Sequence, residues 1–130
     1  MRKIMIVDDE IGITEAFERA FRKDYAVITA NDGQEAMELI GKEKPDLIIL
    51  DWRLKGDVEG KDVLCFSKRE YPSIPVYVLT ASTHLEKEIR SLGADDCLRK
   101  PCLQLKEKIN AVLPSTGSLR DGYSTGYSTT

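Results

Sequence analysis

Five short apolar runs recur along the chain: KIMIV at 3–7, YAVITA at 25–30, DLIIL at 46–50, PVYVLT at 75–80 and DCLR at 96–99. Their length and β-branched content predict strands. The stretches between them carry helical spacing instead. Ile13, Ala16, Phe17, Ala20 and Phe21 recur at i, i+3, i+4, i+7 and i+8, which predicts one buried helix face. Ala36, Met37 and Ile40 mark a second helix, expected to end near Gly41 and Pro45. Residues 61–71 form a third, with Val63, Leu64 and Ser67 inward, and residues 83–92 a fourth, closed by Gly93. Leu105, Ile109 and Val112 place a fifth over 103–113.

Strand and helix in strict alternation leave few architectures open. Five βα units in succession predict an α/β fold, a doubly wound five-stranded parallel sheet with helices on both faces. The central LIIL segment, apolar throughout, suits a strand covered on both sides. In the flavodoxin-like strand order 2-1-3-4-5, the crevice lies beyond the carboxyl ends of strands one and three.

Composition narrows the function. At 130 residues the chain has the length of one domain, with 42% hydrophobic and 32% charged residues. A net charge of −3 without a cluster of Lys or Arg argues against direct nucleic-acid binding. No apolar run reaches the ~20 residues of a membrane span, and no signal-peptide pattern opens the chain, so a cytoplasmic location is expected. Cys65, Cys97 and Cys102 are odd in number and lack C-x-x-C spacing, so they are expected as small buried hydrophobes. The single histidine, His84, excludes a His-rich metal site and belongs in the turn before a helix. From Pro114 onward the Ser/Thr/Gly-rich sequence predicts a flexible tail or linker stub, 114–130, after a domain spanning 1–113.

Chemistry concentrates at the predicted strand ends. Asp8 and Asp9 follow the first strand with Glu10 behind them, and Asp51 follows the third. An Asp-rich turn is the plain reading of the pair. Three carboxylates converging from neighbouring strands call for more, either protonation or a hard divalent cation. Thr80 adds a hydroxyl at the end of strand four, and Lys100 an ammonium after strand five. The set suits phosphoryl transfer to a carboxylate, with Asp51 as nucleophile and Mg²⁺ and Lys100 offsetting charge.

The segments VDDE, DLIILD, VLTA and GADDCLRKP together resemble the receiver domain of the two-component response regulators. That resemblance implies an Mg²⁺-dependent switch, phosphorylated on Asp51 by a sensor histidine kinase or phosphotransfer protein and signalling to a downstream effector. It implies no multiple-turnover enzyme. Asp9 and Asp51 would ligate the metal, Asp8 would act mostly through water, and the main-chain carbonyl of Arg53 would complete the protein ligands. Thr80, Lys100 and the main-chain N–H groups of Trp52 and Ala81 would contact the phosphoryl group. The Lys100–Pro101 bond is expected to be cis. A weak homodimer through the helix 4–strand 5–helix 5 face also follows from the family.

Three departures from the family pattern matter. Lys55 stands where proline is usual in the loop after Asp51, which should loosen that loop, and Asp57 and Glu59 read as solvated charges. Cys97 replaces the usual aromatic switch residue that works with Thr80, so a weaker conformational readout is expected. Arg53 and Ser82 occupy the positions that tune phosphoryl lifetime. With Arg53 covering the group and no carboxylate at Ser82, a long lifetime follows, unless Arg53 points to solvent and pairs with Asp57. Trp52, beside the acceptor, is expected to pack or to be partly exposed, and offers a fluorescence probe. Two rivals remain: a phosphorylation-independent interaction module of the same fold, which usually lacks the acceptor or the lysine, and a haloacid-dehalogenase-type phosphatase. The second would carry D-x-D and a cap domain in place of the adjacent Asp8–Asp9 pair.

Overall fold

The computed structural model describes residues 1–114. Its elements run β1 (Lys3–Val7), α1 (Ile11–Phe21), β2 (Ala26–Ala30), α2 (Gly33–Glu43), β3 (Leu47–Asp51), α3 (Gly60–Glu70), β4 (Val76–Thr80), α4 (Glu86–Ser91), β5 (Asp96–Arg99) and α5 (Leu105–Val112). All strand pairs are parallel, in the order β2-β1-β3-β4-β5. The predicted doubly wound α/β fold is the observed one. Apart from Pro114, the tail expected over 114–130 lies outside the described residues.

Alternation along each strand sorts the core into two halves. Met5, Val7, Ile48, Leu50, Val76 and Val78 pack against Ala36 and Ile40 of α2, Val63 and Leu64 of α3 and Ile89 of α4. Ile4, Ile6, Leu47, Ile49, Tyr77, Leu79 and Leu98 pack against Phe17 and Phe21 of α1 and Ile109 of α5. Every residue of β3 and β4 is buried, as sheet interior demands.

Several details differ from the sequence expectation. In α1 the buried face is Thr14, Phe17 and Phe21, whereas Ile13, Ala16 and Ala20 are exposed. The Phe17 and Phe21 rings stack at 4.4 Å and cover the sheet by themselves, so their smaller neighbours turn outward. Helix α2 runs through Gly41 to Glu43, and Lys44 takes the left-handed capping conformation. Gly41 serves packing instead, since a Cβ there would approach the Tyr71 hydroxyl to 3.2 Å. Helix α4 begins at Glu86 and not at 83, with residues 83–85 in a bend and turn before it. In α5 Val112 is exposed and Leu113 is buried in its place. All three cysteines are free and partly buried, less enclosed than expected.

The loop between β3 and α3 is closed by contact between its two ends. A Cβ at Gly60 would lie 2.4 Å from the carbonyl oxygen of Trp52, so only glycine lets the ends meet. Glu59 and Asp62 form a reciprocal capping box that starts α3, giving Glu59 a structural role beyond a solvated charge.

Candidate functional site

The carboxyl ends of β1, β3, β4 and β5 open into one cleft of about 360 Å³. It is lined by Asp9, Glu10, Asp51, Arg53, Leu54, Lys55, Thr80, Ala81 and Lys100. Asp8, directly after β1, is 1% exposed and anchored by its N–H to the Ala30 carbonyl at 3.0 Å. Asp51 and Thr80 are the last residues of β3 and β4, exposed by 7% and 5%. Lys100 follows β5, its N–H bonded to the Thr80 carbonyl at 2.9 Å. The peptide bond to Pro101 is cis, as expected.

Lys100 is the hub of the cleft. Its Nζ lies 2.9 Å from Asp51 Oδ1 and 3.6 Å from Asp8 Oδ2. The carboxylates whose oxygens lie within 4.8 Å of one another are Asp8, Asp9 and Glu10, and not Asp8, Asp9 and Asp51. Asp8 and Asp51 instead meet through the Lys100 ammonium they share, and the Glu10 N–H donates to Asp8 Oδ1 at 2.9 Å. Asp9 Oδ2 accepts the main-chain N–H of Lys55 at 3.1 Å.

The donors around the cleft also differ in part from expectation. The Trp52 N–H is committed to the Leu79 carbonyl at 2.9 Å, extending the β3–β4 ladder. Among the described residues, the N–H groups of Arg53 and Ala81 have no hydrogen-bond acceptor, and both residues line the cleft. Thr80 Oγ1 accepts the Ser82 N–H at 3.1 Å, which leaves its hydroxyl hydrogen available to donate. Ser82 does not itself line the cleft, and its hydroxyl meets Nδ1 of the exposed His84 at 2.8 Å. Arg53 is exposed and forms no ion pair with Asp57 among the described residues. Trp52 is partly buried against the α2–α3–α4 half of the core. Cys97, partly buried on β5 opposite Val78, packs against the same half, and burial pushes its thiol up. It behaves as a small neutral hydrophobe.

Burial, the largest influence, pushes the Asp8 carboxyl above its usual range, against the opposing Glu10 N–H, with Asp51 and Asp9 adding to the rise and Lys100 resisting it. Burial pulls the Lys100 ammonium down, but the hydrogen bond and charge of Asp51, joined by Asp8, outweigh it and hold the ammonium above its ordinary value. The native state therefore binds the Asp8 proton more tightly than the unfolded chain, whose value is 3.8. Stability conferred by that proton is present below 3.8 and lost as pH rises through the higher folded value. At neutral pH and without divalent ions, Asp8→Asn should raise Tm by a few degrees, and the gain should vanish in acid below pH 3.8. Thermal melts across pH in EDTA measure this.

An all-oxygen donor set fits a hard divalent cation. Asp8, Asp9, Glu10 and Asp51 outnumber the one ammonium within salt-bridge distance of any of them among the described residues. Glu10 was named from sequence only as the acid behind the Asp pair, and the N–H groups of Arg53 and Lys55 were not singled out. The one available signal was Lys55 itself, since any residue but proline brings a donor to that position.

A doubly wound sheet carrying an acid cleft and a lysine at its strand ends defines a class of signalling domain. The model of the response regulator receiver domain family matches residues 4–112, and the chain belongs to that family, the receiver domains of two-component systems. It is 39% identical over 119 residues to the probable transcriptional regulator ycf27 of Guillardia theta, covering 88% of this chain and 46% of that protein. It is 35% identical over 120 residues to the probable transcriptional regulatory protein TcrX of Mycobacterium tuberculosis, covering 88% and 50%. The chain thus spans about half the length of these curated relatives. Among solved structures, the response regulator TrrA of Thermotoga maritima, in complex with Mg²⁺-BeF, aligns with a TM-score of 0.78. It shares 30% identity over 87% of this chain and 100% of its own. The chemotaxis protein CheY4 of Vibrio cholerae aligns with a TM-score of 0.78 at 29% identity, over 87% and 99%. No helix among the described residues is long and apolar enough to cross a membrane.

Proposed function

We propose that residues 1–113 are a phosphoacceptor switch. Asp51 takes a phosphoryl group from the phosphohistidine of a sensor kinase or phosphotransfer protein in the cytoplasm, and the change alters binding to a downstream effector. The observation that carries this reading is the 2.9 Å pair between Lys100 and Asp51 at the floor of an acid-lined cleft. An Asp51 carboxylate oxygen attacks phosphorus, the P–N bond breaks, and its electron pair returns to the imidazole. Lys100 follows the charge onto the new phosphoryl oxygens, the Thr80 hydroxyl donates to one of them, and the N–H groups of Ala81 and Arg53 supply further donors. The Arg53 N–H takes the part first expected of Trp52, whose own is already bonded.

Asp8, Asp9, Asp51 and the Arg53 carbonyl would hold Mg²⁺, with Glu10 as a further acid beside them. Bound there, the ion supplies charge neutralisation for the acids and the incoming phosphoryl oxygens. Arg53, exposed at the rim, and Ser82 tune the lifetime of the product, and Cys97 gives the β5 face a muted response. A weak homodimer through α4, β5 and α5 belongs to the same reading. The test is incubation with a small acyl phosphate and Mg²⁺, followed by intact mass. Gain of a single phosphoryl group supports the proposal; no gain, or continuous turnover of a phosphomonoester, overturns it.

A further inference from the structure

The β3–α3 loop lacks the proline that would stiffen it, yet it is held at several points. Its ends meet where Gly60 abuts the Trp52 carbonyl, and Leu54 is buried in the core. Val58 is pressed onto α2, where a Cβ at Gly33 would lie 2.5 Å from Val58 Cγ1 and 2.7 Å from its carbonyl oxygen. Between these anchors the chain turns at Gly56, φ +100°, and presents the Lys55 N–H to Asp9 Oδ2 at 3.1 Å. That bond is the one hydrogen bond to the Asp9 carboxylate among the described residues.

Asp9 is half-buried, so without a donor its carboxylate would be free to sample rotamers into solvent. We infer that the Lys55 main-chain N–H, held in place by Val58 on Gly33, is a positioning donor that fixes Asp9 for cation binding. The inference rests on the reading of Asp8, Asp9 and Asp51 as the Mg²⁺ site. A hydrogen bond that orients a metal-binding carboxylate from outside the ligand set typically carries 10–100-fold in metal affinity. Proline at position 55 could not make it, because proline has no N–H. The lysine side chain plays no part in the bond.

Two substitutions separate the N–H from everything else at that position. Lys55→Ala keeps the donor and removes the charge, whereas Lys55→Pro removes the donor and stiffens the loop. Mg²⁺ is titrated against the full chain, with Trp52 fluorescence and the Mg²⁺-induced rise in Tm as readouts, and melts in EDTA establish that each variant folds. Lys55→Ala, which loses a positive charge beside the acids, should bind Mg²⁺ at least as tightly as wild type, and Lys55→Pro about tenfold more weakly than Lys55→Ala. Val58→Ala, which leaves the N–H in place but frees the loop, should also weaken binding. Equal affinity for Lys55→Pro and Lys55→Ala overturns the inference, as does full affinity in Val58→Ala. A wild-type chain that ignores Mg²⁺ altogether sinks the cation site itself, a different outcome from either.

Discussion

Asp51→Asn should lose phosphoryl uptake while keeping its fold. The amide matches the carboxylate in size, so β3 and the cleft remain as they are. Its oxygen is a poor nucleophile, and no other acid of the cleft is placed as Asp51 is, 2.9 Å from Lys100. Uptake from a small acyl phosphate should fall on the order of 10⁶-fold, the scale seen when a nucleophile is removed from a site whose other parts stay in place. Lys100 retains Asp8 at 3.6 Å as a partner, so the variant should melt cooperatively. Intact mass and a melt on the same sample test both halves. A phosphoryl group carried by Asp51→Asn at the wild-type rate would place the acceptor elsewhere.

The largest effect on stability should come from the strand that delivers this aspartate. Ile48 is fully buried, paired with Met5 of β1 and Val76 of β4, and belongs to the core half covered by α2, α3 and α4. Ile48→Ala deletes the side-chain carbons beyond Cβ and leaves a cavity that strands locked on both sides cannot collapse into. The loss should be about 2–5 kcal/mol. For a domain stable by only about 5–15 kcal/mol this is a large share. It should appear as a drop in urea midpoint at unchanged m-value, whereas a changed m-value would mean altered compactness.

Much of this molecule was legible in its sequence, and what was not has physical causes. The strands declared themselves because a covered parallel sheet tolerates little but apolar residues, and that placed Asp8, Asp51, Thr80 and Lys100 at their ends. Helix faces were harder. Spacing in α1 offered Ile13, Ala16 and Ala20 as readily as Phe17 and Phe21, and only the area covered by two stacked rings decides which face turns inward. Main-chain groups were hardest of all. Every residue but proline carries an N–H, so whether Trp52, Arg53 or Lys55 has one to spare depends on ladder register and loop path. Side-chain distances share that limit: periodicity brings carboxylates to the strand ends, but which of them meet Lys100, the residue after β5, is settled only in three dimensions.

The buried hydroxyl of Tyr25 donates to the carbonyl of Leu113 and also lies within hydrogen-bond distance of the Asn110 side chain, stapling the final turn of α5 to the start of β2. Pro114 is thereby fixed at the edge where strands begin, roughly 17 Å, one strand length, from the edge where the acids gather. Pro114 therefore sits at the opposite end of the strands from Asp51, Thr80 and Lys100. If Asp51 is the acceptor proposed above, a change there would reach this edge only through the packed elements between, and α5 is the nearest of them to Pro114.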